Sequence, residues 1–167
     1  MQGFSYLILI PFICFVCYCI LLVILLGSRK NKIARYYTFY VVAMIIWSLG
    51  SFVMKTNFPP STLFWNRILC LGLIMMPVIF YHFTLVLTET NDQMNKLIFG
   101  YLCAVFFLFF NFTGLIMKEA YIIDNNFYYT LGPLAPVMAV WSLCYLILSF
   151  TNILNKVKSK QIPFRRV

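Results

Sequence analysis

The chain has 167 residues, of which 63% are hydrophobic and only 10% are charged, and its mean hydropathy is +0.90. These values exclude an ordinary soluble domain, in which about a quarter of the residues are charged. The net charge of +9 does not indicate nucleic-acid binding, because the basic residues lie in short loops between apolar runs, where they set membrane topology.

The first predicted span covers residues 4–27 and is a membrane anchor rather than a cleaved signal peptide. No basic residue precedes it, and its apolar stretch is longer than the core of a signal peptide. A basic loop follows, and the second predicted span covers residues 36–54. Gly50 in this span lies among small residues that let a neighbouring helix approach closely. Gly50 and Gly72 are the predicted helix-packing residues.

The third predicted span, residues 63–88, is the most informative segment because it carries a lone cation, Arg67. No Asp or Glu lies inside any apolar run, so Arg67 has no acidic partner at its own depth. It either snorkels outward to lipid phosphate or water, or faces the bundle and pairs with an anion. That anion would come from a ligand, from Glu119 or from Asp124.

Pro77, near the middle of the same span, predicts a bend because it leaves the carbonyl oxygen of Leu73 without its usual helical partner. Arg67, Ile74 and Tyr81 are seven residues apart and share one face of the helix. A bend beneath a ligand-contacting arginine is a route for transmitting a signal, so Pro77 is the candidate hinge. The alternative is a static kink that helps packing.

The other candidate sensing residues are aromatic or titratable. His82, the only histidine, is either a pH-sensitive switch or a neutral side chain hydrogen-bonded to another helix. Trp47 and Trp65 are either packing and interface aromatics or residues that line a ligand site. The candidates for ligand or signal sensing are Arg67, Trp65, Trp47, Tyr81 and His82.

The fourth predicted span covers residues 97–117 and the fifth covers residues 134–155. Between them, residues 118–132 are predicted to form a short loop at the membrane interface, because the segment combines charges with several aromatic residues. Residues 156–167 form a basic tail. The sequence therefore predicts an all-α polytopic membrane bundle of five transmembrane helices, in a single domain that takes up the whole chain.

The distribution of basic residues predicts the orientation. Ten of them lie in the loop after the first span, the loop before the fourth span and the tail, whereas Lys55 and Lys118 lie on the opposite side. The positive-inside rule then places the N-terminus outside and the tail in the cytoplasm. We therefore expect a multi-pass membrane protein.

Catalytic and metal-binding patterns are not found in the sequence. All six cysteines lie within apolar runs, where they pack between helices, although Cys14-x-x-Cys17 also has the spacing of a redox pair. No Cys/His grouping has metal-ligand spacing, and no carboxylate pair or phosphate-binding glycine loop is present. We expect no disulfide framework, metal, cofactor, enzymatic activity or nucleic-acid partner.

The third span carries a family resemblance. It resembles the N-terminal seven-helix sensor region of bacterial membrane histidine kinases at Trp65, Asn66, Arg67, Gly72, Pro77, Phe83, Thr88 and Glu89. The basic loop after the first span and Trp47 in the second fit the same pattern, so the resemblance covers the first five helices. It implies a sensory or anchoring role in a two-component system, with a cytoplasmic signalling domain or partner protein and with homodimerisation as an option.

The output domain of that family, often a PAS domain followed by a kinase, is not found in this sequence, so kinase activity is not carried over. The chain ends where the loop to a sixth span would begin, and we expect a truncated sensor, a split gene product or an isolated segment. The alternative function is a small-molecule membrane carrier or the substrate-binding subunit of a transporter. Such proteins tend to contain internal repeats or helices broken at the midplane, and only Pro77 suggests a break.

Overall fold

The computed structural model describes residues 6–27, 31–56, 58–90, 92–123 and 126–161. The elements of these residues are, in order, α1 (Tyr6–Gly27), α2 (Lys32–Lys55), α3 (Thr62–Thr88), α4 (Met94–Asn111), β1 (Met117–Ile123), β2 (Asn126–Leu131) and α5 (Ala135–Gln161). Within the described residues, five helices are long and apolar enough to cross a membrane. The predicted all-α membrane bundle is therefore confirmed, while its orientation stays a prediction.

Helix α3 is the central element of the bundle. It packs against α2, α4, α5 and β1, whereas α1 packs mainly against α2. We call the end that holds the starts of α2 and α4 and the ends of α3 and α5 the basic end. The opposite end, where β1 and β2 join α4 to α5, is the hairpin end.

Local sequence signals define both ends of α3. The hydroxyl of Ser61 accepts a hydrogen bond from the Phe64 N–H at 3.1 Å and caps the first turn. At the other end, Glu89 adopts the left-handed conformation with φ 56°, and its N–H donates to the carbonyl oxygen of Val86. The 27 residues between these caps extend about 40 Å at 1.5 Å per residue.

The core lies where α3 contacts α4 and α5. Ile74, Val78 and Tyr81 of α3 are fully buried, and they form one cluster with residues such as Phe107 of α4 and Tyr145 of α5. The helix face predicted to carry Ile74 and Tyr81 therefore faces the core. By contrast, α1 exposes apolar side chains on most of its surface, which is suited to lipid.

The segment predicted to be a short loop is instead an antiparallel hairpin. Strand β1 pairs with β2 from Met117 opposite Leu131 to Ile123 opposite Asn126, with an irregular register between Met117 and Glu119. Tyr121 stacks on Tyr128 across the strands at 5.9 Å. These β-branched and aromatic residues favour strands, and the loop prediction was wrong.

Several helix boundaries also differ from the prediction. Helix α2 begins at Lys32 rather than at residue 36, and α4 begins at Met94 rather than at residue 97. Helix α4 ends at Asn111 rather than at residue 117, because turns follow and Gly114 adopts φ 83° before the strand begins. Helix α5 continues to Gln161 rather than ending at residue 155. The last turns of α5 are polar, so a prediction based on hydropathy ends at the last apolar residues. The helix itself continues, because its backbone hydrogen bonds do not require apolar side chains. Residues 162–167 of the tail lie outside the described residues.

Candidate signal-sensing site

Arg67 lies near the hairpin end of α3 and is half-buried. Its Nε is buried and has no hydrogen-bond partner among the residues that the structure describes, while its carbonyl oxygen accepts a 2.9 Å hydrogen bond from Nδ2 of Asn111 on α4. Glu119 forms no ion pair with Arg67 within the described residues, and Asp124 lies outside them. The structure therefore places a cation with an unused donor at the α3–α4 contact.

The two candidate tryptophans lie near the hairpin end in different settings. The indole N–H of Trp65 donates to the carbonyl oxygens of Phe58 and Pro59, at 3.1 Å each. Trp65 is thereby fixed to the loop between α2 and α3. Trp47 is half-buried on α2, and its backbone nitrogen is part of the close contact between α2 and α3.

Gly50 and Gly72 lie at this close contact. A Cβ added to Gly72 would lie 2.5 Å from the carbonyl oxygen of Ala43 and 2.7 Å from the backbone nitrogen of Trp47. A Cβ added to Gly50 would lie 2.6 Å from the backbone nitrogen of Leu69. The backbones of α2 and α3 therefore approach each other at two points where one of the two helices has a glycine, an arrangement typical of membrane helices.

Pro77 is buried at the middle of α3, between the fully buried residues Ile74 and Val78. The helix continues through it as one element from Thr62 to Thr88. The proline removes a backbone donor at a position where the side chains on both sides are packed against α4 and α5. Its role as a hinge stays a prediction.

Tyr81 begins a hydrogen-bonded chain of side chains at the basic end. Its hydroxyl donates to Oε1 of Gln93 at 2.7 Å, and Nε2 of Gln93 donates to Oδ1 of Asn152 at 3.1 Å. Nδ2 of Asn152 is buried and has no partner. This polar chain joins α3, the turn before α4, and α5, and its outer side borders a cavity lined by other polar residues, including Thr88 and Asn155.

Tyr145 joins the same region from α5. Its ring packs edge-on against Tyr81, with centroids 5.4 Å apart, and its hydroxyl donates to the carbonyl oxygen of Lys96 at 2.7 Å. Lys96 is in the first turn of α4. Tyr81 and Tyr145 thus each tie their own helix to residues at the start of α4.

His82, adjacent to Tyr81, contacts different helices. Its Nδ1 lies 2.9 Å from the hydroxyl of Tyr101 on α4, and its ring lies 4.5 Å from the ring of Tyr36 on α2. His82 therefore links α2, α3 and α4, while Tyr81 links α3 to α5. The consecutive residues Tyr81 and His82 thus contact α2, α4 and α5, the helices that pack against α3.

An ion pair connects the ends of α3 and α5. Nζ of Lys156 lies 3.5 Å from Oε2 of Glu89, whose side chain is 85% exposed. Glu89 and Thr90 line two cavities, one toward α2 and α4, the other toward α5. Residues at the end of α3 therefore line cavities together with residues of α2, α4 and α5.

The sequence candidates fall into two groups. Trp47, Trp65 and Arg67 lie toward the hairpin end and do not form one site, whereas Tyr81 and His82 lie side by side near the basic end. The sequence reasoning missed the polar side chains that partner them: Asn111, Gln93, Asn152, Tyr101 and Tyr145. Two of these, Asn111 and Asn152, are asparagines within apolar helices, which by itself is a signal of function or of interhelical bonding.

The fold and site define a polytopic α-helical membrane protein whose buried polar groups connect helices. A sequence model described as the N-terminal 7TM region of histidine kinase matches residues 7–166, and the chain belongs to this family. The family is a sensor transmembrane region, not a catalytic domain, and it implies a cytoplasmic signalling domain. The predicted resemblance is confirmed. No curated protein and no solved structure gave a significant match.

Proposed function

We propose that this chain is a sensory module of the bacterial inner membrane that transmits a change along α3 to a signalling domain or partner protein at the cytoplasmic basic end. The observation that carries the proposal is the polar chain Tyr81–Gln93–Asn152. It connects the central helix to the helix that leads out of the bundle into the basic tail. The polar chain and the ring contact between Tyr81 and Tyr145 both join α3 to α5, so a change in the position of α3 alters both.

Arg67 is the proposed input. Its buried Nε has no partner, and an unpaired buried donor on a cation carries a free-energy cost that a bound anion, or a change in its surroundings, relieves. Helix α3 packs closely on α2 at Gly72. We therefore expect a movement of α3 to change its contacts with α4 and α5. Pro77 lies between this input and Tyr81.

The proposed output is the end of α5. Lys156 and the residues after it continue α5 beyond the apolar core, and Glu89 holds Lys156 at 3.5 Å. A shift of α3 by 1–2 Å, which is roughly the usual size of a helix movement in signalling, changes the geometry of this contact. The end of α5 then changes its position relative to α3.

A reporter fusion tests the proposal. A histidine-kinase catalytic domain is joined after Val167, and autophosphorylation is measured in proteoliposomes for the unchanged chain, Arg67→Gln, Tyr81→Phe and the double variant. Arg67→Gln is expected to change autophosphorylation by at least about fivefold, the lower end of the usual range of allosteric coupling. If Tyr81 acts after Arg67, Tyr81→Phe abolishes the effect of Arg67→Gln.

The matched control is Lys118→Gln, which removes an exposed positive charge from the hairpin rather than from α3. It is expected to leave autophosphorylation unchanged. Equal autophosphorylation in Arg67→Gln and Lys118→Gln would contradict Arg67 as the input. An unchanged effect of Arg67→Gln in the Tyr81→Phe background would contradict the polar chain as the route.

A further inference from the structure

A cavity of about 410 Å³ lies at the basic end, between α2 and α4, with α3 as its floor. Its volume is within the range of about 300–1,000 Å³ that small-molecule sites occupy. The lining is divided into two parts. One part is polar and includes Lys32, Tyr36 and His82, and the other is apolar and includes Ile33 and Val86.

The polar part offers donors to an anion. Lys32 is exposed in the first turn of α2. Nδ1 of His82 is engaged by Tyr101, and Nε2 forms no hydrogen bond within the described residues, so it is the ring nitrogen open to a bound molecule. The Arg35 guanidinium lies 5.6 Å above the ring of Tyr36, which adds a second positive charge beside the cavity.

The one acidic residue in the lining, Glu89, is paired with a lysine outside the cavity. Lys156 lies 3.5 Å from Glu89, whose side chain is 85% exposed, so the ion pair and water weaken its repulsion of a bound anion. The charges of Lys32 and Arg35 are not balanced by an ion pair within the described residues. The local field at the polar part is therefore positive, although salt screens it beyond about 10 Å.

The apolar part of the lining is exposed at the mouth of the cavity, close to Lys32. Ile33 follows Lys32 in the first turn of α2, and Met94 begins α4; their side chains are 38% and 51% exposed. Leu85 and Leu97 also line the cavity and are buried. A molecule that combines a negative charge with an apolar chain therefore finds a surface for each at the mouth of the cavity.

We propose that this cavity binds an anionic phospholipid, with the phosphate in the polar part and an acyl chain along the apolar part. Basic recesses between membrane helices recognise anionic headgroups in this way. The inference does not depend on the sensory proposal, because it concerns binding alone. The phosphate of a lipid headgroup and a free phosphate ion would make the same contacts with the polar part. Only the lipid has an acyl chain, which distinguishes the two ligands.

Native mass spectrometry of the full chain measures the binding. The protein is equilibrated with phosphatidylglycerol or with phosphatidylcholine of the same acyl chains, and the bound lipid is counted. Phosphatidylglycerol is expected to be retained preferentially. Lys32→Gln is expected to lower its retention about fivefold, since one basic residue near a membrane surface contributes roughly that factor. Lys158→Gln, an exposed cation at the same end outside the cavity, is the charge control and leaves retention unchanged.

A second pair of variants tests the cavity without changing charge. Val86→Trp fills it from α3, whereas Leu87→Trp places the same side chain at the adjacent, exposed position outside it. Only Val86→Trp is expected to lose the bound lipid. Equal retention in either matched pair, or equal retention of the two lipids, would overturn the proposal. Displacement of the lipid by inorganic phosphate, but not by chloride at equal ionic strength, would assign the site to the free ion instead.

Discussion

The hydroxyl of Tyr81 donates a hydrogen bond of 2.7 Å to the side-chain carbonyl oxygen of Gln93, twelve residues further along the chain. Tyr81 is fully buried in the core, while Gln93 precedes the first turn of α4. Because Gln93 also donates to Asn152, a single glutamine connects the central helix with the last helix. We expect the stability of the basic end to depend on these few atoms.

Tyr81→Phe is expected to lower the free energy of unfolding by about 1 kcal/mol, the usual net contribution of one such hydrogen bond. The substitution keeps the ring that packs against Tyr145 and removes only the hydroxyl. Unfolding by titration with sodium dodecyl sulfate in mixed micelles measures the difference. Tyr128→Phe, which removes a hydroxyl from an exposed tyrosine of the hairpin, is the control. Equal stability of the two variants would show that the polar chain contributes nothing.

Gly72→Ala is expected to destabilise the bundle by about 1–3 kcal/mol, the cost of overpacking. Its added methyl group meets the backbone of Ala43 and Trp47 at 2.5 and 2.7 Å, and backbone cannot move aside as a side chain can. Gly27→Ala is the control, because a Cβ at Gly27 has no atom within 4 Å. The same titration compares them, and an effect of Gly27→Ala as large as that of Gly72→Ala would contradict close backbone packing as the cause.

Glu89 allows the ion pair and the backbone conformation to be tested separately. Glu89→Asn and Glu89→Val both remove the contact with Lys156, but only valine is strained at φ 56°. Glu89→Val is therefore expected to be about 1–2 kcal/mol less stable than Glu89→Asn. Glu89→Asn itself is expected to cost at most about 1 kcal/mol, since Glu89 is exposed in its ion pair. Equal stability of the two variants would contradict the strain argument.

The five helices could be predicted from the sequence because each contains an apolar run long enough to cross a bilayer. A chain that crosses lipid as a single segment must be helical to satisfy its backbone hydrogen bonds. The hairpin could not, because the apolar residues around Met117 suit a strand as well as a helix. The distinction depends on Gly114 and on the pairing of Tyr121 with Tyr128. Neither is visible in hydropathy.

The site was predicted only in part for a related reason. Tyr81 and His82 are identifiable as polar or titratable groups in an apolar helix, but a helix alone does not specify which neighbour each will contact. Gln93 lies in a loop in the sequence, and only the packing of α5 beside α3 brings Asn152 to it. Arg67 can be identified from its charge. Its hydrogen bond from Asn111 depends on how α3 and α4 pack, which the sequence does not specify.

Arg67→Leu is expected to raise the free energy of unfolding by about 1 kcal/mol, because a cation within an apolar helix carries a cost that leucine does not. The Nε of Arg67 has no partner to lose, and the hydrogen bond from Asn111 is to its backbone carbonyl oxygen, which the substitution keeps. The titration used above measures the change. A loss of stability of more than about 1 kcal/mol would show instead that the guanidinium has a structural partner.

The orientation is tested by labelling two lysine positions at opposite ends of the bundle. A noncanonical amino acid that reacts with a membrane-impermeant dye replaces either Lys118, on the hairpin, or Lys158, near the end of α5; both are exposed. With ten basic residues at the basic end and two at the other, the positive-inside rule predicts labelling at position 118 in intact cells, and at position 158 only after the membrane is opened. Labelling at position 158 in intact cells would show that the chain has the opposite orientation. The end of α5 would then lie on the wrong side of the membrane to contact a cytoplasmic signalling domain.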